Sequence, residues 1–113
     1  MSDVVWVNGV GYVCGLCAAE SAVPLPESVE DQLASTLKRL HVLVSAHAST
    51  PAHIVMLRLH LTQFQRFHKR AERRLQRYFA GEIPGAISWI GVTDLPRDAL
   101  IAVDAIIALD VSA

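Results

Sequence analysis

Charge is scarce in this chain and almost balanced in sign. Asp, Glu, Lys and Arg make up 19% of its 113 residues, and the net charge is −1. An ordinary soluble domain is about 25% charged. The balance excludes a chain-wide field that would attract nucleic acid or acidic substrates. Long hydrophobic runs are missing too. Asp104 and Asp110 interrupt the longest apolar stretch, so no run reaches the roughly 18 residues that mark a membrane span. The opening Met1-Ser2-Asp3-Val4-Val5-Trp6 has no basic region followed by a long apolar one, which predicts no secretory signal and a cytoplasmic protein. There are only two cysteines and no second ligand pair at zinc spacing, so neither a disulfide framework nor a metal site is expected. No motif calls for a cofactor.

What is abundant is apolar surface. Hydrophobic residues are 52% of the chain and mean hydropathy is +0.35. A chain of this length predicts a single domain, residues 1–113. With that much apolar surface and no membrane span, it is expected to hide some of it in an oligomer.

Val4 to Ala18 reads as a hairpin. Val4-Val5-Trp6-Val7 is one strand, Asn8-Gly9 is a strong turn signal, and Gly11 to Ala18 is the return strand. Gly9, Gly11 and Gly15 are spaced G-x-G-x-x-x-G with no helix pattern following, which excludes a dinucleotide fingerprint. Cys14-Gly15-Leu16-Cys17 lacks the helix start of a redox motif. In a regular strand these cysteines would lie about 10 Å apart on opposite faces, too far for a disulfide, so they are expected to be small buried thiols.

Ser28 can cap a helix whose first turn holds Glu30 and Asp31, and Leu33, Leu37, Leu40 and Val44 continue it to about Ala48. His41 and His47 share no face of it and read as exposed or capping groups. His53 to Thr62 alternates: Val55, Leu57, Leu59 and Leu61 face one way, and Met56, Arg58 and His60 the other. A second helix from about Gln63 to Phe79 has the apolar stripe Phe64, Phe67, Ala71, Leu75 and Tyr78. Its other side holds Arg66, Lys69, Arg70, Arg73, Arg74 and Arg77, six of the ten basic residues. That face reads as solvated. RNA binding through it is an alternative, disfavoured because the helix aromatics lie on the core stripe and offer no stacking platform.

Two apolar runs then flank the polar turn Thr93-Asp94-Leu95-Pro96-Arg97-Asp98, which is the pattern of two strands. The second run, Ala99 to Leu109, is apolar on both faces except for Asp104. Such a strand is buried on both sides, and a lone carboxylate there must be paired or used. The order β-β-α-β-α-β-β predicts an α+β fold with one mixed sheet and two helices on one face. The other face is left for a partner subunit.

Several of these segments together resemble the Rid, or YjgF, family of reactive-intermediate deaminases. They are Tyr12-Val13-Cys14-Gly15, Asp31-Gln32-Leu33, Leu57 to Phe67, Tyr78-Phe79 and, above all, Leu95-Pro96-Arg97-Asp98-Ala99-Leu100-Ile101-Ala102-Val103-Asp104-Ala105. The resemblance implies a chorismate-mutase-like fold and a homotrimer whose sheets line a central barrel. It also implies small-molecule pockets at the subunit interfaces, and hydrolysis of imines or enamines by an arginine that holds the substrate carboxylate and an acid that orients water. Carried over by position, the acid is Asp104 and the pocket glycine is Gly15, with Cys14 beside it. The arginine falls on Ile87 or Ala86, followed by Ser88 and Trp89, so it is missing. The resemblance then implies Asp104 as the catalytic group and Cys14, Gly15, Ile87, Ser88 and Trp89 as the pocket lining, with Arg58 as a substitute cation. A wall of Ile87 and Trp89 favours a neutral or aromatic ligand, held by a binding or accessory protein or by an enzyme of altered chemistry. The alternative is an imine or enamine deaminase with a replaced carboxylate anchor.

Overall fold

The computed structural model of the chain describes residues 4–18, 24–47, 52–82 and 85–109. Two strands, β1 (Val4–Val7) and β2 (Val10–Leu16), precede helix α1 (Val29–His47). Strand β3 (Ala52–Thr62), helix α2 (Phe64–Tyr78), strand β4 (Ala86–Val92), a short 3₁₀ turn (Pro96–Asp98) and strand β5 (Ile101–Leu109) follow. The strands form one sheet in the order β1-β2-β5-β3-β4. All neighbours are antiparallel except β3 and β4. A parallel pair cannot be closed by a hairpin and needs a crossover, which α2 supplies. The expected α+β architecture is therefore the observed one.

Each element has a local cause. The β1–β2 hairpin closes at Asn8 and Gly9, both at positive φ. Ser28 Oγ accepts the Asp31 N–H at 3.1 Å, capping α1, with Glu30 and Asp31 at its positive end. Helix α1 buries Leu33, Leu37 and Leu40, and α2 buries Phe67, Ala71 and Leu75. These side chains form one core with Leu57, Leu59 and Leu61 of β3 and Val103, Ala105 and Ile107 of β5, α1 lying over β5 and α2 over β3 and β4. Burying each such side chain stabilises the fold by roughly 1.5–3 kcal/mol. His41 is exposed, as expected of a residue off the apolar stripe. No helix among the described residues is long and apolar enough to cross a membrane.

Two side chains depart from the expected pattern. The alternation of β3 puts Val55 on the core face, yet it is 46% exposed. The β3–β5 register shifts between Ile54 and Met56, so the extra residue breaks the alternation and Ile54 packs on the core in its place. Tyr78, expected on the core stripe of α2, is 37% exposed. The helix ends there, and Phe79 at its C-cap turns inward instead.

Gln32 ties the helix layer to the sheet. Its side chain is nearly buried. Nε2 donates to the Pro26 carbonyl at 2.8 Å, and Oε1 accepts the Leu100 N–H at 2.9 Å. The Leu100 carbonyl in turn accepts the backbone N–H of Thr62 at 3.0 Å. One amide thus satisfies two backbone groups that α1 and β5 leave without a ladder partner. Replacing Gln32 by Leu keeps the volume but strands both groups, at about 1–3 kcal/mol for each buried group left unpaired. The expected outcome is a lower urea midpoint with an unchanged denaturant slope. An unchanged midpoint would show that water replaces both bonds.

Candidate functional site

Strand β5 is hydrogen-bonded on both sides, which places Asp104 at the middle of the sheet. Side chains of a strand alternate between faces. Val103 and Ala105 point to the helices and are buried, so Asp104 points to the face that the helices do not cover. Across the β3–β5 ladder its partner is Arg58, and across the β3–β4 ladder the partner of Arg58 is Ser88. Arg58 and Ser88 are both exposed.

A bulge in β2 completes this row. Val13 pairs with Ala105 and Leu16 with Val103, so Cys14 and Gly15 together oppose Asp104. Gly15 sits at φ +66, a left-handed conformation that costs an L side chain about 1–2 kcal/mol. The bulge withdraws the Gly15 N–H from the ladder and donates it to Asp104 Oδ1 at 2.7 Å. The other carboxylate oxygen, Oδ2, lies 2.8 Å from His60 Nε2. His60 is two residues along β3 from Arg58, on the same face.

The carboxylate side chain is only 19% exposed. An ionised carboxylate accepts hydrogen bonds and donates none. Opposite an ionised Asp104, Nε2 of His60 is the donor in this contact, and Nδ1 is then the ring nitrogen whose lone pair is available when the ring is neutral. Both carboxylate oxygens are thus held, one by a backbone amide and one by an imidazole. Among the described residues Arg58 has no hydrogen-bond or ion-pair partner. The arrangement offers an orienting carboxylate, a proton acceptor and a free guanidinium on one face.

The expected site residues divide between the two faces. Asp104, Arg58, Ser88 and the Cys14-Gly15 bulge come together. Ile87 and Trp89 do not. Both are half-buried against the core, since β4 runs in register with β3, with Ile87 beside Leu57 and Trp89 beside Leu59. The Trp89 ring meets His68 of α2 edge-on, with centroids 5.0 Å apart. The expected apolar wall therefore belongs to the helix side of the sheet. Cys14 is also exposed rather than buried, and Cys17 is half-buried. Burial pushes the Cys17 thiol up, against the opposing pull of Arg39 and Arg97. The residue missed among the site residues was His60. Its signal was present in the sequence: an imidazole two positions from Arg58, on the polar face of a strand in a chain with one mid-strand carboxylate.

Gly15 tests this geometry. A Cβ there would meet no atom within 4 Å, so Gly15→Ala should lose only the conformational term, about 1–2 kcal/mol. Chemical denaturation measures it, and a neutral substitution would mean that the bulge is not left-handed.

The endoribonuclease L-PSP family model matches residues 1–109 of the chain. Solved structures of similar shape include YyfA from Yersinia pestis, described as a protein of unknown function in the conserved Rid family. It is 22% identical, with a TM-score of 0.80 over 96% of this chain and 87% of that one. The YjgF gene product of E. coli is 18% identical, with a TM-score of 0.83 over 98% of this chain and 88% of that one. E. coli TdcF, solved with bound serine, is 18% identical, with a TM-score of 0.76 over 98% and 88%. Identities this low establish the fold alone. No match was found among curated proteins.

Proposed function

The chain belongs to the endoribonuclease L-PSP family, also called Rid or YjgF, and from that premise we propose that it hydrolyses the C=N bond of a small 2-imino acid or its enamine tautomer. The reaction takes place on the uncovered face of the sheet, in a pocket that a homotrimer completes. The observation that carries the reading is the single row Gly15, Asp104, Arg58 and Ser88, with His60 bound to Asp104. The neutral or aromatic ligand loses its support, because Ile87 and Trp89 face the helices. Bound serine in TdcF is a compact amino acid with a carboxylate, the same class of small molecule.

In this reading Arg58 takes the place of the missing arginine and pairs the substrate carboxylate through two parallel N–H donors. Asp104 fixes the His60 ring so that Nδ1 faces outward. A water oxygen bonds to the imine carbon while Nδ1 takes a water proton, and the C=N π pair moves to nitrogen. His60 returns the proton to that nitrogen. Nδ1 next takes the hydroxyl proton and passes it to the amine nitrogen, the C–N bond breaks with its electron pair going to nitrogen, and ammonia leaves as the oxygen lone pair forms the carbonyl. One imine and one water become one 2-keto acid and one ammonia. Ser88 is placed to hydrogen-bond the carboxylate or the leaving nitrogen.

A partner subunit covers the face in this reading. Val5, Val7 and Tyr12 toward one edge of it and Ile90 at the other are 37% to 55% exposed, apolar surface that a partner would bury.

The test is hydrolysis of freshly generated 2-iminopropanoate with semicarbazide trapping of what escapes. The wild-type chain should outrun the background. His60→Gln should lower kcat by roughly 10²–10⁴-fold, the usual worth of a general base. Arg58→Gln should raise KM, by roughly 30-fold or more for a lost charged hydrogen bond. Background rates from wild type, or full rates from both variants, would sink the assignment. Light scattering should show a trimer, and a monomer at micromolar concentration would remove the interface pocket.

A further inference from the structure

The helix layer carries a second feature, independent of the reading just given and on the opposite side of the sheet from Asp104. Arg70, Arg73, Arg74 and Arg77 recur at helical spacing and share one side of α2. With Ser28, Glu30 and Asp31 at the start of α1 they line one open cleft of about 510 Å³, a size typical of small-molecule sites.

A helix face that only meets water usually mixes signs, because an acid four residues from a base stabilises the helix. Helix α2 instead carries one acid, Glu72, against Arg66, Lys69, Arg70, Arg73, Arg74 and Arg77. Glu72 faces His68 at 3.5 Å. Arg70 with Arg74, and Arg73 with Arg77, are like charges at i,i+4, an arrangement that disfavours the helix unless an anion offsets it. Arg70 has such an anion: its Nη2 and Nε donate to the two oxygens of Glu30 at 2.7 and 3.1 Å. That ion pair holds the Glu30 carboxyl below the usual carboxylate range. The Arg70 guanidinium also lies 5.3 Å from the Phe67 ring centroid, so it is fixed on two sides. Arg73 Nε makes a long exposed bond to the Lys69 carbonyl at 3.4 Å. Among the described residues no acid pairs with Arg73, Arg74 or Arg77. With Arg70 set against Glu30, three guanidiniums face one further carboxylate, Asp31, so three minus one leaves two positive charges at the cleft.

We propose that this cleft binds a small molecule carrying a diphosphate group, with Arg73, Arg74 and Arg77 as its cations. Planar guanidiniums suit phosphate oxygens through paired donors. Neighbouring phosphates span the distance between side chains one helical turn apart better than a single phosphate does. The Arg70–Glu30 pair forms a rigid wall, and Asp31 limits how far the anion enters. The source of the diphosphate is either inorganic pyrophosphate or a nucleotide.

Isothermal titration of the full chain decides between these outcomes. Inorganic pyrophosphate and ADP are each titrated at low and at moderate salt, beside orthophosphate and a short single-stranded RNA. The expected result is saturable binding of one or both diphosphates that weakens with salt, with orthophosphate roughly tenfold weaker or more. ADP tighter than pyrophosphate identifies a nucleotide, and the reverse identifies the inorganic ion. Arg74→Gln with Arg77→Gln should reduce affinity by roughly tenfold or more, with a ligand-free melting midpoint equal to or slightly above that of wild type because two like-charge i,i+4 pairs are removed. If the double variant melts early, Arg77→Gln alone, at the exposed end of α2, carries the comparison. Absence of saturable diphosphate binding, or binding indifferent to these variants, overturns the proposal. So does RNA binding tighter than ADP through the same arginines, which would assign the face to nucleic-acid backbone.

Discussion

Asp104 is a carboxylate in the middle of the central strand of a sheet, and much of the surrounding structure follows from accommodating it. A carboxylate taken largely out of water without partners costs more than a small domain can spare. Here each oxygen has one partner, and each partner has a structural cause. The Gly15 N–H is available because β2 carries a bulge, and the bulge is sterically free because the residue at φ +66 is glycine. The His60 imidazole is available because β3 pairs antiparallel with β5 in a register that puts Arg58 opposite Asp104 and His60 one step further along. A slip of one residue in either ladder would send Asp104, or its partner, to the other face. The leucine pattern of β3 opposes that slip, since it would expose Leu57, Leu59 and Leu61. Core packing and the polar row are thus fixed by the same register.

The sheet is two-faced, and among the described residues helices pack on one face only. On the helix side lie the buried leucines, isoleucines and valines. On the other lie the polar row and, at its margins, Val5, Val7, Tyr12 and Ile90. Antiparallel sheets tolerate one wet face, but that face then normally alternates to polar side chains. This one does so along the row through Asp104, Arg58 and Ser88 and at His60 beside it, but not at Val5, Val7, Tyr12 or Ile90. The apolar margin is what the proposed trimer would cover, with the row left as a polar strip inside it.

Much of this is legible in the sequence, and the exceptions have identifiable physical causes. Element order, the Ser28 cap, the Asn8-Gly9 turn and both helix stripes depend on local chemistry, which a sequence displays directly. Val55 was misplaced because a bulge changes the count of residues without leaving a compositional mark in β3. Cys14 was misplaced for the same reason in β2, where a regular strand was assumed. Ile87 and Trp89 were assigned to the pocket by position relative to a family motif, and a position in a motif does not state which face it occupies. The residues themselves held the answer. In β4 the larger apolar pair, Ile87 and Trp89, alternates with Ser88 and Ile90, and Trp89 has a hydrophobic core to join only on the helix side. His60 was seen beside Arg58 but not joined to Asp104, because that contact depends on the β3–β5 register, which no single segment encodes.

The cations divide in a way that net charge conceals. Arg58 stands on the open face of the sheet, and the α2 arginines stand beyond the helix layer, with the whole hydrophobic core between them. The core has few mobile charges to screen with, but the separation exceeds contact range, and at physiological salt charges more than about 8 Å apart through solvent are largely screened. The two regions therefore act as separate anion-attracting surfaces, not as one field. In an assembly closed over the sheet face, the helix layer remains outside and the α2 cleft stays open to solvent. A ligand of one surface should then neither compete with nor require a ligand of the other, unless it shifts the packing of Phe67, which touches Arg66 and Arg70 on its outer side and the core on its inner side. Phe67 is one buried side chain through which occupancy of the arginine cleft has a physical route to the sheet; Gln32, next to Asp31 and bonded to Leu100, is another.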